Sequence, residues 1–196
     1  MNGPFRSPWC RILVALCVPL LSLGCSLVGA LAQESLVLEH PDVQRQLERL
    51  APDYEAGGSL GFVLRDTPVQ ERLYRRVAGS QRGLLWSAEF VSRWPTTEDQ
   101  LDRWSAQAIG LLADGLGQDV RLAGWERLDT PDIGERRVAY RYALATSDGR
   151  LVGEATIIVF ARGAHVGLAG TATVQSRPPV DATELARLLD SPRAGS

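Results

Sequence analysis

The chain has 196 residues, enough for a domain with its own core, and a formal net charge of −2 at pH 7. All of its basic residues are Arg, and residues 33–196 hold 23 acidic residues against 19 basic ones. This acidic balance disfavours sequence-independent binding of nucleic acid, which depends on neutralising phosphates, so we expect no nucleic-acid partner.

Residues 1–32 are typical of an export signal. Arg6 and Arg11 precede an uncharged and mostly apolar stretch at 12–32. A positive start, an apolar run and small residues at its end are the pattern of a secretory signal peptide. The stretch ends in Ala-Leu-Ala, the small-x-small form that signal peptidase recognises, which predicts cleavage after Ala32. We therefore expect an extracytoplasmic domain, either secreted or tethered to a membrane.

Two other fates of this segment stay open. Residues 21–25 (Leu-Ser-Leu-Gly-Cys) resemble a lipobox, in which lipidation of Cys25 would tether the domain to a membrane. The apolar stretch also has about the 20 residues that a helix needs to span a bilayer uncut. Cys10, Cys17 and Cys25 all lie in this segment, so cleavage after Ala32 leaves no cysteine for a disulfide, a zinc cluster or a nucleophile.

Residues 33–58 are predicted to form a helical arm ahead of one α+β domain at 59–191. Pro41 suits a first helical turn, and Pro52 would stop the helix. The apolar residues between them have helical spacing: Val43, Leu47 and Leu50. The main domain is expected to begin with a short strand at 60–64.

A second helix is predicted from residue 67 because Thr67-Pro68-Val69-Gln70 matches a capping box with Pro in the first turn. Val69, Leu73 and Val77 would form its apolar stripe, and Gly79 would end it. This helix would place several Arg side chains together as a candidate patch for anionic lipid headgroups or an acidic partner. Within this patch Arg72, Arg75 and Arg76 would share one face of the helix, and Arg82 would lie close to them. A solvated surface without a partner is the alternative.

A strand at 84–94, closed by Pro95, and the longest helix come next. Residues 97–100 form another capping box, and Gly115 and Gly117 would end the helix. Its apolar stripe has helical spacing: Leu101, Trp104, Ala108, Leu111, Leu112 and Leu116.

Three Trp residues in this region are candidates for lining a pocket. Trp86 and Trp94 lie eight residues apart on the predicted strand, which would place them on one face, and Trp104 lies on the helix stripe. They could line an apolar pocket between helix and sheet, or they could be the packed seam between the two.

The second half of the chain changes to the two-residue period of strands. Strands are predicted at 120–128, from 136 to 144, at 151–162 and from 165 to 174, with hairpin signals at Asp148-Gly149 and Arg162-Gly163. Asp181 and Glu184 cap a last short helix. We expect an α+β fold: an antiparallel meander with the long helix packed on it and a short C-terminal helix, in a sandwich-like α-β-α arrangement.

The sequence contains no HExxH motif for zinc binding and no CxxC motif. His165 could be the general base of a hydrolase beside Thr171 or Thr173; a solvent-facing histidine at the start of a strand is the alternative. We expect no enzymatic activity, no cofactor and no metal.

The order of elements from about residue 84 to 190 carries a resemblance. It rests on residues 131–135 (Pro-Asp-Ile-Gly-Glu), the Tyr-bearing strand after them, the Asp-Gly hairpin, residues 157–163 and the capped terminal helix. This order resembles the small exported LpqN and PsbP-like domains of bacterial lipoproteins and extrinsic membrane-associated proteins. The resemblance implies an α–β–α sandwich with an accessory or binding role, without a functional residue to carry over.

We therefore expect an exported accessory or interaction domain whose partner is a membrane surface or another extracytoplasmic protein. The alternative is an extracytoplasmic carrier of a small molecule or lipid, held in a pocket between the long helix and the sheet.

Overall fold

The computed structural model describes residues 41–77, 79, 81–130 and 132–191. The predictions for Ala32 and Cys25 lie outside these residues. No helix within the described ranges is both long and apolar enough to cross a bilayer.

The described chain forms one antiparallel sheet with helices on both of its faces. The helices are α1 (Pro41–Leu50), α2 (Glu98–Leu116) and α3 (Ala182–Asp190). The strands are β1 (Tyr54–Ala56), β2 (Gln70–Arg76), β3 (Arg82–Val91), β4 (Val120–Arg127), β5 (Arg136–Thr146), β6 (Leu151–Arg162) and β7 (His165–Val174). Neighbouring strands pair antiparallel in the order β1-β2-β3-β7-β6-β5-β4. The α+β class and the meander of the second half are therefore confirmed.

The sheet has a hydrophobic core on each face. On one, the α2 face, the side chains of Trp86 and Ile157 are buried with those of α2. On the other, the α3 face, Leu85 and Phe160 are buried with side chains of α1 and α3. Strands β3, β6 and β7 contribute to both cores, which explains why β6 reads as a mostly apolar run rather than an alternation.

The long helix begins where the sequence predicts. The Thr97 side chain accepts a hydrogen bond from the Gln100 N–H, and the Gln100 side chain accepts one from the Thr97 N–H at 2.8 Å, so the capping box is formed in both directions. The helix ends at Leu116, and Gly117 follows with φ of 129°. A residue with a side chain is strained at that φ, so glycine marks the end of the helix.

Helix α2 lies close to the sheet at Gly170 of β7. A Cβ atom at this position would lie 2.5 Å from Leu112 Cδ1 and 3.3 Å from both Ile157 Cδ1 and Trp86 Cε3. These three side chains are fully buried and cannot easily move aside. The missing side chain at Gly170 is thus what allows Leu112 to pack directly on the sheet.

Gly170→Ala should lower the free energy of unfolding by about 1–3 kcal/mol, because it overpacks the contact between Leu112 and the sheet. Gly110→Ala is the matched control: it lies in α2 with open space around its Cβ position and should raise stability by about 0.5–1 kcal/mol through helix propensity. Urea unfolding measures both. Equal effects of the two substitutions would contradict this packing.

The helix predicted from residue 67 is wrong: Gln70–Arg76 is strand β2. It pairs with β3 from Gln70 opposite Glu89 to Arg75 opposite Leu84. The Thr-Pro-Val-Gln motif follows a tight turn in which Asp66 has φ of 57°, and it leads into the strand. Pairing with a long central strand outweighs the local capping signal.

One further expectation changes. The segment predicted as a strand at 60–64 belongs to an irregular loop, apart from a single bridge between Leu64 and Thr67. Strand β3 lies inside the sheet because β2 and β1 extend the sheet beyond it.

The described part of the predicted arm packs into the domain. Helix α1 begins at Pro41 and ends at Leu50, as the sequence predicts. Its Leu47, together with Ala51 and Tyr54, is buried in the core of the α3 face, and β1 pairs with β2. The boundary placed between 58 and 59 therefore separates residues that share one core.

Candidate functional site

The three candidate Trp residues fall into two environments. Trp86 is fully buried, its ring edge-on to that of Phe62 with 5.6 Å between centroids. Trp94 is 75% exposed, and Trp94 and Trp104 both line one open cleft of about 340 Å³. Trp86 therefore belongs to the seam between helix and sheet, while the other two define a candidate binding site, here called the Trp94 cleft.

The Trp94 cleft lies where the turn at 64–67, the end of β3 and the start of α2 meet. Phe90 and the half-buried Trp104 form a T-shaped pair, with ring centroids 4.9 Å apart and an interplanar angle of 88°. The polar and charged side chains of the lining are Arg65, Asp66, Thr67, Ser92, Arg93 and Gln100. The cleft thus combines an aromatic wall with two exposed guanidinium groups.

The carboxylate of Glu71 holds the loop that leads into the cleft. Its oxygens accept hydrogen bonds from Ser59 Oγ at 2.9 Å, from the Leu60 N–H at 3.1 Å and from Trp86 Nε1 at 2.9 Å. One side chain on β2 therefore joins the loop to the buried indole of the core. A bond to an ionised acceptor is stronger than one between neutral groups, which makes this a firm attachment.

Two further contacts fix the same loop closer to the cleft. The side chain of Phe62 is buried against Trp86, and Gln107 of α2 donates from Nε2 to the Val63 carbonyl at 3.3 Å. The turn that carries Arg65 follows directly, so its backbone position is set by both the core and the helix.

The opposite wall is the short connection from β3 to α2. The Ser92 N–H donates to the Ala164 carbonyl at 2.8 Å, and Ser92 Oγ donates to the Trp94 carbonyl at 2.7 Å. The capping box at Thr97 fixes the other end. Trp94 therefore has a constrained backbone and an exposed indole, the combination found in preformed recognition sites.

The charged side chains of this cleft suit the recognition of an anionic group. Its titratable side chains are Arg65, Asp66 and Arg93. Guanidinium groups stay charged and recognise carboxylates or phosphates, but they do not serve as general bases near neutral pH. Among the described residues there is no group of three or more His, Cys, Asp or Glu placed to hold a metal ion.

The candidate Arg patch does not form one surface. On a strand, Arg72 and Arg75 point to opposite faces, so the single helix face that was predicted is wrong. Arg76 contacts Gln81 and lies 3.9 Å from Asp53. Arg72 is exposed.

Arg75 and Arg82 instead satisfy the end of α2, which has no basic residue in its own last turn. Arg75 donates to the Gly115 carbonyl at 3.0 Å and Arg82 to the Leu116 carbonyl at 2.8 Å. Arg82 also binds both carboxylate oxygens of Asp119; this hydrogen bonding raises the pKa of Arg82 and lowers the pKa of Asp119. The cations complement the negative end of the helix dipole.

His165 lies apart from the threonines suggested as its partners. Its Nε2 lies 3.0 Å from Oε1 of the fully buried Glu89. Thr171 and Thr173 are six and eight residues further along the same strand, about 20 and 27 Å away at 3.4 Å per residue. The Thr173 hydroxyl donates to the Ser176 carbonyl. The general-base arrangement proposed for a hydrolase is not assembled by these residues.

An ion pair between Arg162 and Asp190 joins α3 to the same end of the sheet. Arg162 donates to both carboxylate oxygens of Asp190 at 2.7 Å, and the Gly134 N–H donates to Oδ2 at 2.8 Å. Burial by itself raises the pKa of Asp190, but these hydrogen bonds outweigh it and hold the pKa below its usual value.

Asp190→Asn should reduce stability at neutral pH by about 1–3 kcal/mol, because it removes the charge from these bonds. Since the folded pKa lies below the unfolded one, the contribution is present above the unfolded pKa and disappears as pH falls through the folded pKa. The difference from wild type should therefore vanish at strongly acid pH. Urea unfolding at both pH values tests this, with the exposed Asp66→Asn as control. A deficit that stays constant with pH would contradict it.

Several residues of the Trp94 cleft were missed from the sequence, namely Arg65, Phe90 and Arg93. The local signal was Arg93-Trp94-Pro95: a cation and a large indole directly before a residue that must end the strand. No local sequence pattern indicated Arg65, because it lies in a loop about 25 residues or more before the aromatic side chains of the cleft.

No family model, curated protein or solved structure matches this chain. The resemblance to LpqN and PsbP-like domains therefore stays a prediction, and function is argued from the site alone.

Proposed function

We propose that this chain is an exported, non-catalytic accessory domain that binds a protein partner through the Trp94 cleft. The observation that carries the proposal is Trp94 itself, which is 75% exposed at the rim of a cleft with an aromatic wall. Trp is among the residues most enriched at the energetic centres of protein interfaces. Export is supported by the opening sequence.

The partner should present an apolar side chain next to a carboxylate. The rings of Trp94 and Trp104 offer apolar contact, and the buried Phe90 supports them from below. Arg65 and Arg93 offer planar donors that match a carboxylate in two-point geometry. Asp66 lies on the same rim and would disfavour a uniformly acidic ligand. This pattern suits a protein segment of mixed character better than a densely anionic surface.

The packing under α2 supports a binding surface over an enclosed carrier. Trp86, Leu112 and Ile157 fill the space between helix and sheet, and Gly170 leaves no gap beneath them. A lipid or small molecule held there would have to displace close-packed side chains. The Trp94 cleft is open and needs no such displacement.

Photo-crosslinking in the native cells tests the proposal. A photoreactive amino acid in place of Trp94 of the full chain should yield a discrete crosslinked protein, because the cleft contacts its partner there. The same amino acid in place of Leu151, which is 67% exposed, is the matched control and should not yield that product.

The double variant Arg65→Glu/Arg93→Glu, carrying the photoreactive residue at 94, should lose the product while keeping the wild-type circular dichroism spectrum. Three results would contradict the proposal: no product from position 94, the same product from position 151, or crosslinking to lipid alone.

A further inference from the structure

Strand β4 is an uncovered edge of the sheet. It runs for eight residues and pairs with β5 alone among the described strands. Only Val120 at its start is buried. The other edge strand, β1, has three residues and offers little to pair with. A long exposed edge presents a row of backbone groups that another strand can bind.

A bulge sorts the side chains of β4 onto its two faces. The register of β4 against β5 shifts between Leu122 and Gly124, so that Ala123 is the extra residue. As a result Leu122 and Trp125 stand opposite Leu144 and Tyr142, which share the α2 face. Without the bulge, Leu122 and Trp125 would point to opposite faces.

The same shift places two charged side chains of opposite sign on the α3 face. Arg121 stands opposite Ala145, and Glu126 stands opposite Arg141. Strand β4 therefore carries the apolar pair Leu122 and Trp125 on one face and the oppositely charged pair Arg121 and Glu126 on the other. The two members of each pair are equally far along the chain from the peptide bond between Ala123 and Gly124.

We propose that β4 pairs antiparallel with β4 of a second copy of this chain, about a two-fold axis between Ala123 and Gly124. In this register Leu122 lies opposite Trp125 of the other copy, and Arg121 lies opposite Glu126. Because the interface is symmetric, each contact occurs twice. The partner is thus a second copy, selected by a pattern that complements itself.

The exposed side chains gain contacts in this arrangement. Trp125 is 67% exposed and Leu122 is 39% exposed, although Trp125 already stacks edge-on with Tyr140 at 5.6 Å. Glu126 bonds Arg141 at 3.0 Å and keeps a 60% exposed side chain, so its carboxylate can accept a second donor from Arg121 of the other copy. Cross-strand pairs of both kinds stabilise antiparallel sheets.

The pattern also specifies the register. A slip of one residue in one direction places Arg121 opposite Arg127, and these two like charges repel each other. It also places the apolar Leu122 opposite the charged Glu126. Bulges often protect sheet edges from pairing. In the proposed dimer the extra residue of each copy lies at the two-fold axis, so the two bulges are opposite each other. The backbone hydrogen bonds between the two β4 strands can then keep the same register before and after the bulges.

Sedimentation velocity of the full chain in a mild detergent tests the proposal, since the detergent keeps the apolar opening stretch from associating. Wild type should show a monomer–dimer equilibrium at protein concentrations between micromolar and hundreds of micromolar.

Arg121→Glu and Glu126→Arg each place like charges opposite each other, and each should weaken dimerisation about tenfold or more. The double variant Arg121→Glu/Glu126→Arg exchanges the charges and should restore it. Arg150→Glu, exposed in the Asp-Gly hairpin, is the control and should dimerise like wild type.

Trp125→Ser should also weaken the dimer without any change of charge, which guards against a misfolded charge variant. A monomer across the whole range would overturn the proposal. A dimer that both single reversals leave intact, or one that the double variant fails to restore, would overturn it equally.

Discussion

The close packing of α2 on the sheet at Gly170 is the constraint on which the rest of the structure depends. It brings Leu112 down onto Trp86 and Ile157 and closes the larger core. The buried Trp86 must then find a partner for its indole N–H, and Glu71 supplies one at 2.9 Å. The same carboxylate also binds Ser59 and the Leu60 N–H, so it ties the loop that leads to the Trp94 cleft to the buried core.

Most of the polar side chains that stand out in the sequence are used internally. Arg75 and Arg82 bind the carbonyls that end α2, and Arg162 binds Asp190 to join α3 to the sheet. The first two contacts satisfy backbone carbonyls at the end of α2, and the third ties a helix to the sheet, in a domain that is expected to have no disulfide. The exposed Trp94 and Trp125 lie on the two surfaces for which recognition is proposed, the Trp94 cleft and the β4 edge.

The parts of the fold that the sequence predicted are those with a strong local pattern. The capping box at 97–100, the alternation from residue 136 and the Asp-Gly hairpin all act within a few residues, and the structure contains each of them. Strand β2 was missed because Thr-Pro-Val-Gln resembles a helix start, whereas the conformation of β2 is decided by pairing with residues of β3 that lie 9 to 19 positions further along the chain.

The candidate site was predictable only in part for a related reason. Trp86, Trp94 and Trp104 were all candidates for one pocket or one packed seam, because Trp86 and Trp94 were expected on the same strand face. The sheet ends at Val91, so the strand alternation does not extend to Trp94. Arg65 reaches the cleft through contacts of Phe62 and Gln107 that no local pattern encodes.

Hydrogen exchange of the Trp indole protons, followed by nuclear magnetic resonance, tests the central claim most directly. If the core at Gly170 holds Trp86 against Glu71, the Trp86 indole proton should exchange far more slowly than those of Trp94 and Trp125, which lie at the surface. An exchange rate for Trp86 similar to that of Trp94 would contradict the account, because the loop that forms the cleft would then have no fixed attachment to the core.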